Sequence, residues 1–246
     1  MNFKPKISKT TILFLSCFIS VQVFLAQESE NNSSLVFNNM PFSILDTTPR
    51  YRLGLEYTSN NKLAYSLDVG YGNSLLNGWK SKNEWGDDFN VFEIRPELKY
   101  IVGKNNGYNF YLALELFYID LGVRAKDSRY SPETSSSIVS YQSATLDRVK
   151  YGFHIKGGMN IITNKRFNFD LYLGLGFARR IVNYSDVVNP KLEPFAEFNE
   201  WFIPNGKYYE GTDSLFHLAL GMRFGYALWL SKTHSSMNLN SDNEMH

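Results

Sequence analysis

The stretch Phe216-His217-Leu218-Ala219-Leu220-Gly221-Met222-Arg223-Phe224-Gly225-Tyr226-Ala227-Leu228 carries the clearest structural signal in the sequence. Every second residue is large and apolar, and the residues between are small, polar or charged. A period of two is typical of a β-strand whose two faces meet different surroundings. The runs 63–72 and 167–178 repeat the pattern almost without error. No window shows a sustained helical period, so the sequence predicts an all-β fold.

Less regular runs bring the predicted number of strands to eight. They are 35–45, 52–57, 92–100, 110–118 and 149–156, of which 35–45 is the weakest. The connections between the eight runs are 46–49, 59–62, 73–90, 103–107, 124–147, 163–166 and 184–212. From the second onward they alternate short and long, which places the short turns on the side of both termini. This layout predicts an eight-stranded antiparallel transmembrane β-barrel with short periplasmic turns and three long extracellular loops.

The same alternation also fits a soluble periplasmic barrel that binds a ligand inside an apolar lumen. The apolar face consists of large Leu, Phe and Tyr side chains, and the interior of an eight-stranded barrel is too narrow to hold so many of them. Aromatic residues also lie near the predicted strand ends, where membrane barrels carry aromatic girdles. These are Tyr57, Tyr71, Tyr100, Tyr118, Tyr151, Phe167, Phe177 and Tyr226. We therefore expect the apolar face to point outward into lipid, and the soluble barrel stays as an alternative.

Charged residues fall on the face of small residues, six basic against six acidic. They are Arg52, Glu56, Asp68, Glu93, Arg95, Glu97, Lys99, Glu115, Lys150, Lys156, Asp170 and Arg223. Charges withdrawn from water must be paired. The near balance predicts a lumenal charge network and a closed lumen filled with side chains, and a narrow pore is the alternative.

The two ends of the chain differ from this pattern. Residues 1–26 place lysines before an apolar run and are expected to be a signal peptide. A short periplasmic segment, 27–34, then leads into the barrel at 35–231, and 232–246 is expected to be a flexible periplasmic tail. The single cysteine, Cys17, lies within the predicted signal peptide, so we expect neither disulfides nor thiolate metal sites. Removing the three lysines of the signal peptide leaves 22 basic against 24 acidic residues.

Composition excludes several classes of protein. The formal net charge of the whole chain is +1, which gives no electrostatic footprint for nucleic acid. The mean hydropathy is −0.29, and a bundle of membrane helices would need several apolar runs of about 20 residues. The fraction of apolar residues, 43%, is too high for a disordered chain.

The last predicted strand resembles the assembly signal of outer-membrane barrels, with a polar residue, a glycine and two apolar residues at set spacings. The matching residues are Arg223, Gly225, Leu228 and Leu230, although the chain continues for 16 residues beyond Leu230. Residues 35–230 as a whole look like the small OmpA/OmpX-type barrels of Bacteroidota, a family largely of unknown function. The segments that carry this resemblance are Leu53-Gly54-Leu55-Glu56-Tyr57, Leu67-Asp68-Val69-Gly70-Tyr71-Gly72 and Ile94-Arg95-Pro96-Glu97-Leu98-Lys99-Tyr100. The resemblance implies a fold and the outer membrane of a Gram-negative bacterium, and it implies no activity.

Two histidines on the polar face, His154 and His217, are the candidates for catalysis by a lipid-modifying enzyme. Such a site needs a serine held by a histidine and a carboxylate. The residues two positions away on the same strands are Gly152, Lys156, Leu215 and Ala219, none of them a serine. We therefore predict no enzyme activity, no cofactor and no metal site, and each histidine is expected to pair with a neighbouring carboxylate.

The 184–212 connection is the candidate interaction surface, because loops on a rigid scaffold carry function and aromatic anchors are used at interfaces. Its aromatic residues are Phe195, Phe198, Trp201, Phe202, Tyr208 and Tyr209. Alternatively, these side chains only fold the loop onto the barrel rim. The expected role is structural or interactive: envelope integrity, adhesion, or an accessory subunit of an envelope complex. The expected partners are outer-membrane lipid, the outer-membrane assembly machinery and an envelope protein at the extracellular loops, with no nucleic acid, and the protein is expected to be a monomer.

Overall fold

The computed structural model describes residues 33–46, 48–59, 62–74, 87–105, 107–133, 138–163, 166–193 and 209–230. The predicted signal peptide, the tail and most of the 27–34 segment lie outside these residues. The strands of the described part are β1 (Ser34–Met40), β2 (Tyr51–Ser59), β3 (Leu63–Asn73), β4 (Asp87–Asn105), β5 (Tyr108–Tyr130), β6 (Ile138–Ile162), β7 (Phe167–Val188), β8 (Lys191–Glu193) and β9 (Gly211–Leu230). A 3-10 helix, Pro41–Leu45, follows β1.

Eight of these strands form one closed antiparallel ring. The order around the ring follows the chain from β1 to β7, and β9 pairs with both β7 and β1. The prediction of an all-β antiparallel fold with eight main strands is therefore confirmed. The ring has a turn end, where β2 ends and β3 begins, β4 ends and β5 begins, and β6 ends and β7 begins, and where Ser34 and Leu230 also lie, and a loop end opposite.

β1 is shorter than the predicted 35–45 run, which is the weakest of the eight predicted strands. β1 stops at Met40, and Pro41 starts the 3-10 helix that occupies the rest of the run. Proline has no N–H for a ladder hydrogen bond and its fixed φ suits the first turn of a helix. β1 is nevertheless long enough to pair with β2 on one side and with β9 on the other, which closes the ring.

The long hairpins extend much further than the sequence predicts. The expected loop 124–147 is wrong at both ends, because β5 and β6 stay paired up to Tyr130 and Val139. The expected loops 73–90 and 184–212 are likewise too long: β4 begins at Asp87, and β7 runs to Val188 before the short β8. The outer parts of these strands have polar residues on their outward face and lose the apolar alternation that marks the rest.

The turn between β4 and β5 is tight, as the predicted short connection 103–107 requires. β4 ends at Asn105 and β5 begins at Tyr108, and Gly107 has a φ of 94°. A residue with a Cβ is strained in this left-handed region, so glycine is the residue that suits a two-residue hairpin turn.

The two faces of the ring differ in a regular way. Inward residues are buried and include two apolar clusters, a small one near the turn end and a larger one near the loop end. Outward residues are exposed, among them most of the large aliphatic side chains of the strands. No helix in the described ranges is long and apolar enough to span a membrane.

Candidate functional site

Charged side chains fill the interior of the ring. Eleven of the twelve residues predicted for the charge network are buried, and the twelfth, Lys150, is half-buried. They lie on β2 to β7 and on β9 and face one another across the ring. The alternation places these side chains inward because each strand turns its large apolar residues outward.

Arg223 on β9 is the centre of this network. Its guanidinium donates to both carboxylate oxygens of Glu97 on β4, at 2.8 and 2.9 Å, and to Asp68 Oδ2 at 3.1 Å. Lys156 Nζ forms a further ion pair with Glu97. The bidentate contact with Glu97 suits the fork geometry of arginine and carboxylate. Strands on opposite sides of the ring are thereby joined through the interior.

A second carboxylate, Glu115 on β5, gathers three donors. Arg95 Nη1 and His154 Nδ1 contact its Oε1 at 2.7 and 2.9 Å, and Lys156 Nζ contacts its Oε2 at 2.7 Å. Arg223 Nη2 lies 3.7 Å from the same Oε2. Glu115 therefore links the central cluster to the histidines nearer the loop end.

Nearer the turn end, Lys99 holds the network together. Its Nζ donates to Glu56 Oε2 and to Asp170 Oδ2, both at 2.6 Å. The Tyr111 hydroxyl donates to the other oxygen of Asp170 at 2.6 Å, and the Lys99 ammonium lies 4.5 Å from the centre of the Tyr111 ring. Tyr172 plays a similar part at the centre, with Lys156 Nζ 4.2 Å from its ring. Aromatic faces add to the stabilisation of these buried cations.

Near the loop end, Glu93 binds a residue that the sequence pattern did not reveal. Arg50, in the connection between the 3-10 helix and β2, is buried and pairs with both carboxylate oxygens of Glu93. Arg95 pairs with the same carboxylate, and Arg52 lies 3.7 Å from it. The connection folds into the mouth of the ring, because Thr48 and Pro49 are buried with Arg50. Arg50 precedes the alternating part of β2, so alternation could not have identified it.

Four residues form a hydrogen-bonded chain in the interior near the loop end. Lys150 Nζ lies 2.7 Å from His217 Nε2, His217 Nδ1 lies 2.6 Å from His154 Nε2, and His154 Nδ1 lies 2.9 Å from Glu115 Oε1. With a charged lysine, each group in this order can donate to the next, through the tautomers that carry the hydrogen on His217 Nδ1 and on His154 Nδ1. Phe117 stacks on His154 with the ring centres 4.6 Å apart. Lys150 thus contacts a histidine, whereas the sequence predicted a place for it in a network of opposite charges.

The contact between the histidines depends on a glycine. Gly176 on β7 is the register partner of His154 on one side and of His217 on the other. A Cβ on Gly176 would lie 1.8 Å from the carbonyl oxygen of Phe153. Because Gly176 places no side chain between them, the two rings come within 4.9 Å of each other, measured between their centres.

The outward surface carries an aliphatic band between two rows of aromatic side chains. The row nearer the loop end comprises Tyr51, Tyr71, Phe92, Tyr118, Tyr151, Phe177 and Phe216, all exposed. The row nearer the turn end comprises Tyr57, Tyr65, Tyr100, Phe110, Phe167 and Tyr226. The band between them includes Leu173 and Leu218, and its most exposed side chain is Leu220 at 81%.

Beyond the loop-end aromatic row, the polarity of the strands is reversed. The outward residues become polar and exposed, for example Asp120, Asp147 and Asn183. Most of the inward residues become apolar and buried, and Arg180 is a buried charged exception. The apolar residues are Phe89, Val91, Ile119, Leu121, Val123, Leu146 and Val182, which belong to the larger apolar cluster. The same strands therefore have an apolar exterior along the band and an apolar interior above it.

The remaining predicted residues fall in different places. Of the predicted assembly signal, Arg223 and Gly225 face inward, and Leu228 is exposed on the outside. The backbone of Leu230 ends β9 opposite Ser34. Of the predicted loop surface, Tyr209 is exposed and bridges to Ser131, and the other five aromatic residues lie outside the described part of the chain. Among the described residues, no group of three or more His, Cys, Asp or Glu side chains is arranged to hold a metal ion.

Comparison with known proteins gives one family and one solved structure. The family model, described as "Protein of unknown function (DUF3575)", matches residues 11–209. No curated protein matches the chain. The crystal structure of a major outer membrane protein from Thermus thermophilus has a TM-score of 0.41 and 10% sequence identity, and the match covers 80% of this chain and 100% of that chain.

Proposed function

The chain belongs to the DUF3575 family of proteins of unknown function, and on that premise we propose that it is an outer-membrane β-barrel with a structural or interaction role. The proposal includes both termini on the periplasmic side, a closed interior, and a part beyond the membrane at the loop end. The single observation that carries it is the reversal of polarity along the strands, at the level of the aromatic row.

The outward band has the dimensions and composition of a lipid-facing surface. On β5 it extends from Phe110 to Tyr118. Eight residue steps of about 3.4 Å, tilted by about 40°, span about 20 Å, close to the apolar band of outer-membrane barrels at about 25 Å. Aromatic rows flank the band on both sides, as at the two interfaces of a bilayer. A soluble protein rarely exposes an apolar surface of this extent.

The reversal of polarity argues against the soluble alternative. If water surrounded the whole ring, the outward face would be polar along its full height. Instead, outward Leu218 and Leu220 are 62% and 81% exposed, whereas Arg223 and Glu97 on the inward face are buried. Above the aromatic row, outward Asp147 and inward Leu146 follow the ordinary arrangement of a soluble sheet. One boundary between lipid and water at this row explains both arrangements.

The filled interior supports a role without conduction. Arg223, Glu97 and Lys156 are each less than 2% exposed, and their ion pairs join β4 to β6 and to β9 through the interior. An eight-stranded barrel has an interior just wide enough for its own side chains. A continuous water path would require these pairs to separate, and each partner would then lose its counter-charge.

The hydrogen bonds of the histidines support a non-catalytic role. His154 uses one ring nitrogen for Glu115 and the other for His217, and His217 uses its second nitrogen for Lys150. A histidine that activates a serine needs a free ring nitrogen to accept the hydroxyl proton. Both histidines are occupied in the interior, where they connect β5, β6 and β9.

The loop end is then the part that meets other molecules outside the cell. We propose outer-membrane lipid as the partner of the band, the assembly machinery as the partner of the last strand, and an envelope protein as a partner of the extracellular part. A monomer suffices for closure, because every strand of the ring has two neighbours within the chain. A barrel held in the outer membrane with its loop end exposed could contribute to envelope integrity, to adhesion, or to an envelope complex as an accessory subunit.

Membrane fractionation with gel migration tests the proposal. We expect the protein in the outer-membrane fraction, and we expect unheated protein in SDS to migrate differently from boiled protein, because the closed ring resists the detergent. A protein recovered in the soluble periplasm, with the same migration before and after boiling, would overturn the proposal.

A further inference from the structure

The tip of the long hairpins holds an open groove of about 910 Å³. It is formed by residues 127–129 of β5, residues 140–142 of β6, and the segment that connects β7 to β8 and continues into β8. All of these residues lie beyond the loop-end aromatic row. In the proposed orientation the groove therefore lies on the part of the described structure that is outside the membrane.

The groove exists because one strand is interrupted. β8 pairs with β6 in the same register as the end of β7, with Ser143 opposite Val188 and Ser140 opposite Lys191. Asn189 and Pro190 leave the ladder between these pairs, and Asn189 has a φ of 52°. On the other wall, Asp127 has a φ of 45°. Non-glycine residues in this left-handed region are uncommon and tend to gather at binding sites.

Neighbouring contacts hold the walls in place. Asn189 Nδ2 donates to Gln142 Oε1 at 2.7 Å across the interruption. Tyr141 lines the groove, is buried, and lies 5.9 Å from Tyr130 between ring centres. Tyr130 in turn stacks on Tyr184 at 4.2 Å. The three tyrosines give the groove a rigid base under a polar lining.

The lining specifies the kind of ligand. Among the described lining residues, the acidic Asp127 and Glu193 offset the basic Arg129 and Lys191, so this part of the lining favours no net charge. Gln142 and Asn189 each offer an amide that both donates and accepts hydrogen bonds. A ligand that satisfies such a lining carries many groups that donate and accept at once, which is the chemistry of sugar hydroxyls. The volume accommodates more than one sugar ring, and the polar lining disfavours an apolar ligand.

We propose that this groove binds a neutral oligosaccharide at the cell surface. The inference rests on the proposed function, because only that orientation places the tip outside the cell. Gln142 and Asn189 are the residues that contact the sugar hydroxyls.

Calorimetry on the full-length protein tests the inference, in a detergent without a sugar headgroup. The probes are maltotetraose, mannotetraose and tetra-N-acetylchitotetraose as neutral oligosaccharides, and tetragalacturonate as an acidic one. We expect at least one neutral probe to bind, and Gln142→Ala and Asn189→Ala to weaken that binding at least tenfold. Asn183→Ala is the matched control, since Asn183 is an exposed asparagine of β7 outside the groove lining, and it should bind as the unaltered protein does.

Three results would overturn the inference: binding of none of the neutral probes, binding of tetragalacturonate alone, or equal weakening by Asn183→Ala. The heat-dependent gel shift is measured on the same preparations. A protein that keeps the shift and binds no neutral probe refutes the groove and leaves the outer-membrane proposal intact. Loss of the shift in the unaltered protein refutes the outer-membrane proposal.

Discussion

Arg223 on β9 and Glu97 on β4 face each other across the ring and share two hydrogen bonds, at 2.8 and 2.9 Å. Three strands separate β9 from β4 in either direction around the ring. The pair is therefore a cross-brace through the interior, in addition to the ladder hydrogen bonds of the wall. Both side chains are buried, so neither is compensated by water when the other is removed.

A double-mutant cycle on this pair should give a large coupling energy. Arg223→Met alone leaves the carboxylates of Glu97 and Asp68 without their main counter-charge, and we expect a loss of about 3–5 kcal/mol in the free energy of unfolding. The double variant with Arg223→Met and Glu97→Gln should lose much less free energy of unfolding than the sum of the losses in the two single variants. Urea unfolding in detergent micelles, followed by tryptophan fluorescence, measures all four proteins. Additive losses would show that the cross-brace does not exist.

The effect of Leu220→Arg on stability should show whether the aliphatic band faces lipid or water. Leu220 lies in the middle of the band and is 81% exposed. An arginine on the lipid face near the bilayer midplane costs about 2–4 kcal/mol, whereas on a water-facing strand it costs little. Thr212→Arg, on the same strand and face but beyond the aromatic row, is the control. In lipid vesicles, the free energy of unfolding should fall for Leu220→Arg and stay the same for Thr212→Arg. Equal effects of the two changes would favour the soluble barrel.

Most of the wall could be predicted from the sequence, because period-two alternation records which face of each strand points outward. The interior pairs could not. His154 and His217 are 63 positions apart in sequence, and their contact depends on the strand order and on Gly176 between them. Arg50 lies outside any alternating run. The extension of β5 beyond Arg124 also escaped prediction, since Lys126 and Asp127 interrupt the apolar pattern where the outward face meets water.

Replacing the two histidines should leave lipid A unchanged. His154→Ala and His217→Ala remove hydrogen bonds to Glu115 and Lys150, and we expect each to lower stability by about 1–3 kcal/mol, because a buried partner is left unsatisfied. Mass spectrometry of lipid A from cells with and without each variant reads out lipid modification separately. If either variant altered the acylation pattern, the non-catalytic role would have to be given up.

Stability of the loop end of the ring should depend on the charge of Asp147. Partial desolvation of the Asp147 carboxyl, and then the nearby carboxylate of Asp186, raise the pKa of Asp147 above its usual value of 3.8. Since the folded state binds this proton more tightly than the unfolded state, the stabilising contribution is full below pH 3.8 and is lost as the pH rises through the raised pKa. Asp147→Asn should therefore raise the unfolding temperature at pH 7.

The benefit of Asp147→Asn should disappear at about pH 3, where the aspartic acid is already protonated. Asp213→Asn is the control, because Asp213 pairs with Arg180 at 2.6 Å and should lose stability at pH 7 instead. Thermal unfolding at the two pH values measures both variants. If Asp147→Asn raised the unfolding temperature equally in neutral and in acidic buffer, the raised pKa of Asp147 would not be the cause.

Depth-dependent fluorescence quenching shows whether the aliphatic band lies in lipid, on which the proposed function depends. In a Cys17→Ser background, a fluorophore attached through Leu220→Cys or through Thr212→Cys is measured in vesicles of lipids brominated in the middle of their acyl chains. We predict strong quenching at position 220 and little at position 212. Weak and equal quenching at the two positions would contradict a lipid-facing band.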